Sequence, residues 1–134
     1  MVSCIGKIAD IFNQVGVVKT QKTVSNLDGM DKTIEEAKSH NFEGLCFVNL
    51  VEFDSEYGHR RNPNGYKKCI EDFDVQLNDF LKAMKKDDLL IITADHGNDP
   101  THTGTDHTRE MIPVLWYSKS FANPQQLSTG DSFA

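Results

Sequence analysis

The apolar residues of the chain cluster into short runs that are separated by more polar segments. Three runs are nearly continuous, at residues 44–51, 89–92 and 112–117, and they indicate three strands. Two weaker strands are predicted at residues 2–5 and 15–19, with a short helical pattern of Ile8, Ile11 and Phe12 between them. The runs at 44–51 and 89–92 are typical of central strands that are covered on both faces of a parallel sheet.

Helical periodicity fills much of the sequence between these strands. The strongest pattern begins at the Asn62-Pro63 pair, with proline in the first turn. Its apolar stripe comprises Tyr66, Ile70, Phe73, Leu77, Phe80, Leu81 and Met84. A second helix is predicted to be capped by Asp28 or Asp31 and to run to about His40. Strands that alternate with helices predict an α/β fold with a mainly parallel sheet.

Composition limits the classes of protein to consider. The chain has 134 residues, of which 38% are hydrophobic and 25% charged, as in one domain or part of one. Fourteen Lys and Arg against 20 Asp and Glu give a net charge of −6, which argues against a nucleic-acid-binding surface. No apolar run reaches the length of a membrane span. Three widely spaced cysteines, with no apparent signal peptide, predict reduced thiols in the cytoplasm.

The segment after the run at 89–92 carries the strongest chemical signal. It turns polar at Asp95-His96 and continues as a Gly, Asn, Asp, Pro and Thr-rich loop to His107. Carboxylate oxygen and neutral imidazole are ligands that Zn, Mn and Fe accept. Alternatively, Asp95 only caps a turn and His96 lies on the surface. Three His and three Asp between positions 95 and 107 favour a metal site.

A second polar cluster follows the run at 44–51 and includes Asp54 and His59. Ligands of open α/β sheets gather beyond the carboxyl ends of the strands, so we expect this pair to meet Asp95 and His96 there. His107 lies far enough along the loop to join them. Five oxygen and nitrogen ligands exceed what one tetrahedral ion needs, and a two-metal centre that clamps a phosphoryl group becomes plausible.

Other polar residues near these motifs are weaker candidates. His102 could compete with His107 for a metal, and we favour His107. Asp99 and Asp106 are expected to stabilise the loop by turn hydrogen bonds. Three arginines could contact phosphate, pair with ligand carboxylates or stay solvated: Arg60, Arg61 and Arg109.

Taken together, these motifs resemble those of a known family. Residues 95–101 (Asp-His-Gly-Asn-Asp-Pro-Thr) and 104–110 closely resemble the C-terminal metal motif of phosphopentomutases, which belong to the alkaline phosphatase superfamily. Residues 49–61 resemble the other metal segment of that family. Residues 6–12 and 25–31 match it too, so the likeness covers essentially the whole chain, and the fold it implies is part of an alkaline-phosphatase-like core domain.

The resemblance implies a specific chemistry. Phosphopentomutases interconvert ribose 1-phosphate and ribose 5-phosphate, and the deoxyribose analogues, with two manganese ions. The residues that match Asp95 and His96 hold one ion, and those that match Asp54, His59 and His107 hold the other. A phosphorylated threonine gives its phosphoryl group to the bound sugar phosphate, and a bisphosphate intermediate then returns a phosphoryl group to the enzyme.

Part of the family pattern has no counterpart in this sequence. The first metal aspartate, the threonine nucleophile and most of the sugar-binding cap do not match residues 1–134. We therefore expect residues 1–134 to be the C-terminal portion of the catalytic core, inactive alone, with at most one tightly held ion. The expected partners are a pentose phosphate and the rest of the same polypeptide. The alternatives are another phosphotransferase or hydrolase of the superfamily, or a non-catalytic metal-binding domain.

Overall fold

Strand β1 (Val2–Ile5) is the centre of a three-stranded parallel sheet. A computed structural model of the chain describes residues 1–39 and 43–131. In it, β1 lies between β2 (Lys19–Gln21) and β3 (Leu45–Val48), and the strand order is β2-β1-β3. Both pairings are parallel. The parallel sheet with its helices confirms the predicted α/β class.

The remaining elements follow the chain order that the sequence predicted, with one unforeseen π-helix. They are α1 (Ile8–Ile11), α2 (Asn26–Ser39), the π-helix (Phe53–Gly58), α3 (Pro63–Ala83), β4 (Leu90–Thr93) and β5 (Val114–Tyr117). The buried core comprises Cys4, Ile5, Ala9, Met30, Ile34, Cys69 and Met84. It therefore lies mainly between β1 and the helices. No helix in the described part of the chain is both long enough and apolar enough to cross a bilayer.

Strands β3 and β4 differ from the prediction that both are central strands of a parallel sheet. β3 pairs only with β1 among the described strands, and its Leu45 and Phe47 side chains are exposed. β4 pairs with β5 in a separate antiparallel ribbon, in which Leu90 lies opposite Tyr117. An apolar run predicts a strand but not its partner. Here the loop from residue 94 to residue 113 reverses the chain direction and fixes the antiparallel pairing.

The first turn of α2 also corrects a prediction. The hydroxyl of Ser25, and not the carboxylate of Asp28 or Asp31, caps the helix by accepting from the Asp28 amide at 3.1 Å. Asp28 instead accepts from the Lys32 ammonium at 2.6 Å and from the Val24 amide at 3.0 Å, and these two bonds, the first more than the second, lower the pKa of its carboxyl group. The predicted helix end at His40 lies outside the described residues.

One predicted strand boundary is wrong, and the predicted start of the long helix is confirmed. The strand predicted at residues 15–19 begins only at Lys19, because positive φ angles at Asn13, Gln14 and Gly16 make the preceding segment a turn. The start of α3 is confirmed, since the Asn62 side chain accepts from the Gly65 amide with proline in the first turn. Its stripe is less regular than predicted: Ile70 is exposed and the neighbouring Cys69 is buried.

Candidate metal centre

The π-helix brings Asp54 and His59 to the same side of the chain. The amide of His59 donates to the carbonyl of Asp54 at 2.9 Å, five residues back, which is the hydrogen bond that defines a π-turn. The wider turn sets the two side chains close together, and Nε2 of His59 lies 3.3 Å from Oδ2 of Asp54. π-Helical turns are rare in proteins, and many of those that occur lie at functional sites. The local backbone geometry therefore brings the Asp54 carboxylate and the His59 imidazole together.

The loop between β4 and β5 brings two more imidazoles to the same carboxylate. Nε2 of His107 lies 3.4 Å from Oδ1 of Asp54, and Nε2 of His96 lies 4.0 Å from the same oxygen. The two rings stack, with centroids 3.6 Å apart. One potential ligand atom from each of Asp54, His96 and His107 falls within 4.8 Å of the others. A carboxylate and imidazoles at these distances fit a divalent cation.

Backbone carbonyls orient two of the imidazoles. Nδ1 of His59 contacts the carbonyl of Thr105, and Nδ1 of His96 lies 3.1 Å from the carbonyl of Gly97. A carbonyl oxygen can only accept, so Nδ1 carries the proton in each contact and a neutral ring keeps its Nε2 lone pair available. This arrangement is the usual support of metal-binding histidines. The orientation of the imidazole rings therefore supports a metal site in addition to the short distances between the side chains.

Asp95 lies at the rim of this group. Its Oδ1 is 3.8 Å from Nε2 of His96, but its side chain is 88% exposed. The structure thus brings all five residues predicted from the sequence into one neighbourhood, joined by distances of 4.0 Å or less. The trio of Asp54, His96 and His107, whose ligand atoms lie within 4.8 Å of one another, combines members of both ligand sets implied by the family resemblance.

The weaker candidates take other roles. His102 is exposed, and its Nδ1 contacts the neighbouring Thr103 carbonyl at 2.7 Å. Asp99 forms the predicted turn: its Oδ1 accepts from the amide and hydroxyl of Thr101 at 2.8 and 2.7 Å. These two bonds lower the pKa of Asp99. Asp106 contributes its backbone carbonyl, which accepts from the guanidinium of Arg61.

Two glycines allow the close packing of the centre. A Cβ atom at Gly97 would lie 2.1 Å from the carbonyl oxygen of Glu110. Only glycine at position 97 therefore allows the chain to pass this close to Glu110. A Cβ atom at Gly58 would lie 2.7 Å from Nδ2 of Asn98 and 3.2 Å from Oδ1 of Asp54. Glycine at position 58 therefore leaves room for the Asn98 amide beside the Asp54 carboxylate.

The three arginines differ in environment. Arg60 pairs with Glu56 at 3.0 Å on the surface, and Arg109 is exposed. Arg61 instead donates to several acceptors of the loop. The sequence had not indicated Asn98 as a neighbour of Asp54 or Thr105 as the acceptor for His59. A backbone carbonyl acceptor has no residue signature, so only the spatial arrangement reveals it.

Comparison with known proteins agrees with a metal centre. Residues 2–134 match the family model described as the Metalloenzyme superfamily. The chain is 54% identical over 130 residues to a phosphopentomutase of Clostridium botulinum (strain Alaska E43 / Type E3), covering 97% of this chain and 33% of that protein. It is 52% identical over 133 residues to a phosphopentomutase of Clostridioides difficile (strain 630), covering 99% and 34%. The chain thus spans about a third of the length of these curated relatives.

Proposed function

The chain belongs to the Metalloenzyme superfamily, and on that premise we propose that it supplies part of the active site of a phosphopentomutase. The reaction is the interconversion of ribose 1-phosphate and ribose 5-phosphate, and of the deoxyribose analogues. The observation that carries the proposal is the convergence of three imidazoles on the Asp54 carboxylate. The similarity to phosphopentomutases across 97% of this chain supports the same reaction.

Two manganese ions form part of the proposal. Asp54, His59 and His107 would hold one ion, and Asp95 and His96 would contribute to the other. When bound, such ions neutralise the charge that develops on a transferred phosphoryl group. One potential ligand atom from each of Asp54, His96 and His107 lies within 4.8 Å of the others, and this closeness supports binding of at least one ion. The exposed Asp95 carboxylate is open to further ligands beside the same cluster.

The residues of this chain have a binding and orienting role in the proposed reaction. The Thr105 and Gly97 carbonyls hold the imidazoles of His59 and His96 so that their Nε2 atoms remain available. The threonine nucleophile, the remaining metal ligands and the sugar-binding cap are assigned to a part of the enzyme outside these residues. We therefore expect no turnover from the 134-residue chain alone. A reducing, cytoplasmic setting, consistent with three free thiols, belongs to the same proposal.

A chimeric enzyme tests this function. The matching third of the Clostridium botulinum phosphopentomutase would be replaced by this chain, and isomerisation of ribose 1-phosphate assayed with Mn²⁺. We expect the chimera to convert the substrate, and the isolated chain to be inactive. The matched control is the chimera with Asp54→Asn, which keeps the shape of the side chain but removes its charge.

The outcomes separate the possible functions. Isomerisation that disappears in the Asp54→Asn chimera supports the proposal. Release of inorganic phosphate without isomerisation would indicate a hydrolase of the same superfamily. A chimera that folds and binds Mn²⁺ but has neither activity would contradict the proposed function and favour a non-catalytic metal-binding domain. Appreciable isomerisation by the isolated chain would contradict the expectation that it is a partial site.

A further inference from the structure

The side chain of Arg61 holds the loop between β4 and β5 at several points. Its Nη1 donates to Oδ1 of Asn98 and to the carbonyl of Asp99, both at 2.8 Å. Its Nε donates to the carbonyl of Gly104, and its Nη2 to the carbonyl of Asp106. A guanidinium is a rigid planar fork of N–H donors, so these four bonds fix the loop in one orientation.

The backbone at Arg61 provides an independent argument. Its φ angle is +50°, in the left-handed region, which glycine adopts more readily than arginine. The conformation alone would favour glycine at this position. The presence of arginine is therefore better explained by what its side chain does, namely the bonds to the loop.

The positions that Arg61 holds lie next to the residues that build the metal centre. Gly104 precedes Thr105, whose carbonyl accepts from Nδ1 of His59. Asp106 precedes His107, whose Nε2 lies 3.4 Å from Asp54. Arg61 itself follows His59 by two residues. One side chain thus connects the end of the π-helix with the part of the loop that carries a candidate ligand.

A second connection runs through Asn98 to Asp54. Arginine can only donate, so the oxygen of the Asn98 amide must face Arg61. The amide nitrogen is thereby directed to Oδ1 of Asp54, at 3.5 Å. This arrangement leaves the fork of Arg61 largely occupied by protein acceptors, which argues against the phosphate contact considered from the sequence.

We propose that Arg61 is a positioning residue of the metal centre, which aligns His107, Asn98 and the Thr105 carbonyl with the π-helix through its bonds to the loop. The role in metal binding rests on the metal site proposed above. The alignment itself does not require a bound ion. Two measurements therefore test the proposal, one without metal and one with it.

The metal-free measurement uses nitrogen NMR of the imidazole rings. Unsubstituted protein and the Arg60→Ala control should show His59 predominantly with its proton on Nδ1. Arg61→Lys and Arg61→Gly should both shift His59 towards a mixture of tautomers, because the Thr105 carbonyl is no longer held beside it. Lysine keeps the charge but not the fork, whereas glycine relieves the backbone and removes the side chain. An unchanged His59 tautomer in both variants would overturn the proposal.

The second measurement is Mn²⁺ binding by calorimetry, with thermal melting as a check on folding. We expect the Kd to rise on the order of tenfold to a hundredfold in Arg61→Lys and Arg61→Gly, the range seen when residues that orient metal ligands are lost. Arg60→Ala should stay within about twofold of the unsubstituted protein, since its ion pair with Glu56 lies on the surface. An Arg61→Lys variant that binds Mn²⁺ as tightly as the unsubstituted protein would overturn the proposal, because it would show that a positive charge is sufficient and that the geometry of the guanidinium has no role.

The two proposals can fail separately. Absence of Mn²⁺ binding to unsubstituted protein would count against the metal site, while the NMR comparison would still decide whether Arg61 aligns His59. Should Arg61→Gly fail to fold, Arg61→Lys carries the same test.

Discussion

The Nε2 atoms of His59 and His107 lie 3.1 Å apart, although 48 residues separate the two histidines. Nδ1 of His59 already donates to the Thr105 carbonyl, so in a neutral His59 ring Nε2 can only accept. The proton between the two rings must then come from His107. Two ring nitrogens thus share one proton beside the Asp54 carboxylate, which is 3.3 Å from His59 and 3.4 Å from His107.

This contact predicts a change of tautomer on metal binding. A cation that is bound by both Nε2 atoms needs both lone pairs, so the proton of His107 must move from Nε2 to Nδ1 of the same neutral ring. We expect nitrogen NMR to show His107 with its proton on Nε2 in the metal-free protein and on Nδ1 when diamagnetic Zn²⁺ is bound. His102, an exposed histidine of the same loop, should keep its tautomer when Zn²⁺ is added. A His107 proton already on Nδ1 in the metal-free protein would contradict its donation to His59.

Gly58→Ala should weaken the metal centre. The added methyl group would lie 2.7 Å from Nδ2 of Asn98 and 3.2 Å from Oδ1 of Asp54, so one of these groups must move. We expect Mn²⁺ affinity, measured by calorimetry, to fall by about tenfold. The control is Gly29→Ala, whose methyl group would meet the Leu50 side chain at 2.8 Å but no candidate ligand. Equal affinities of the two variants would show that Gly58 has no specific role.

Asn26→Ala should destabilise the fold. The buried Asn26 side chain accepts from the Glu52 amide at 3.1 Å and donates to Sγ of Cys69 at 3.3 Å. Its own amide donates to the Glu52 carboxylate, so this residue joins the start of α2 to the approach to the π-helix. Alanine leaves the Glu52 amide without this acceptor, and we expect the free energy of unfolding to fall by about 1–3 kcal/mol in urea denaturation.

The matched control for that variant is Asn78→Ala, at an exposed position of α3. Its free energy of unfolding should change by less than about 0.5 kcal/mol. Equal losses in the two variants would mean that the contacts of Asn26 add nothing to stability.

The properties of the Cys46 thiol predict that the protein loses stability at alkaline pH. Burial, with a smaller contribution from the Glu36 carboxylate, raises the pKa of the Cys46 thiol from 9.0 to about 11. Between these values the unfolded chain releases a proton that the folded protein keeps, so the free energy of unfolding falls as pH rises. Urea denaturation at pH 8, 9 and 10 should show a steeper fall for the unsubstituted protein than for Cys46→Ala. Parallel slopes would contradict this effect of burial.

The sequence predicted the approximate positions of the structural elements better than their pairing. Alternation of apolar runs and helical patterns located β1, β3, α2, α3, β4 and β5. It did not show that β3 pairs with one strand only among the described residues or that β4 pairs antiparallel with β5, because an apolar run carries no information on its partner. The π-helix was also missed, since its one-residue widening of the turn leaves no clear pattern in side-chain polarity.

The candidate site was predictable where side-chain chemistry defines it. Asp54, His59, Asp95, His96 and His107 were recognised from residue type and from the polar segments that follow apolar runs, and the structure brings them together. The supporting contacts were not predictable. The acceptors for His59 and for most of the Arg61 bonds are backbone carbonyls, which any residue provides. Their selection depends on the path of the loop and not on its composition.

The most direct test of the metal centre is a calorimetric titration of the 134-residue chain with Mn²⁺, comparing unsubstituted protein with Asp54→Asn and Asp95→Asn. We predict at most one tightly bound ion. Asp54→Asn should lose at least about tenfold in affinity, since one carboxylate faces three imidazoles. Asp95→Asn should lose less, because that side chain is 88% exposed at the rim. Unchanged affinity in Asp54→Asn, or two equally tight ions in the unsubstituted chain, would contradict this account.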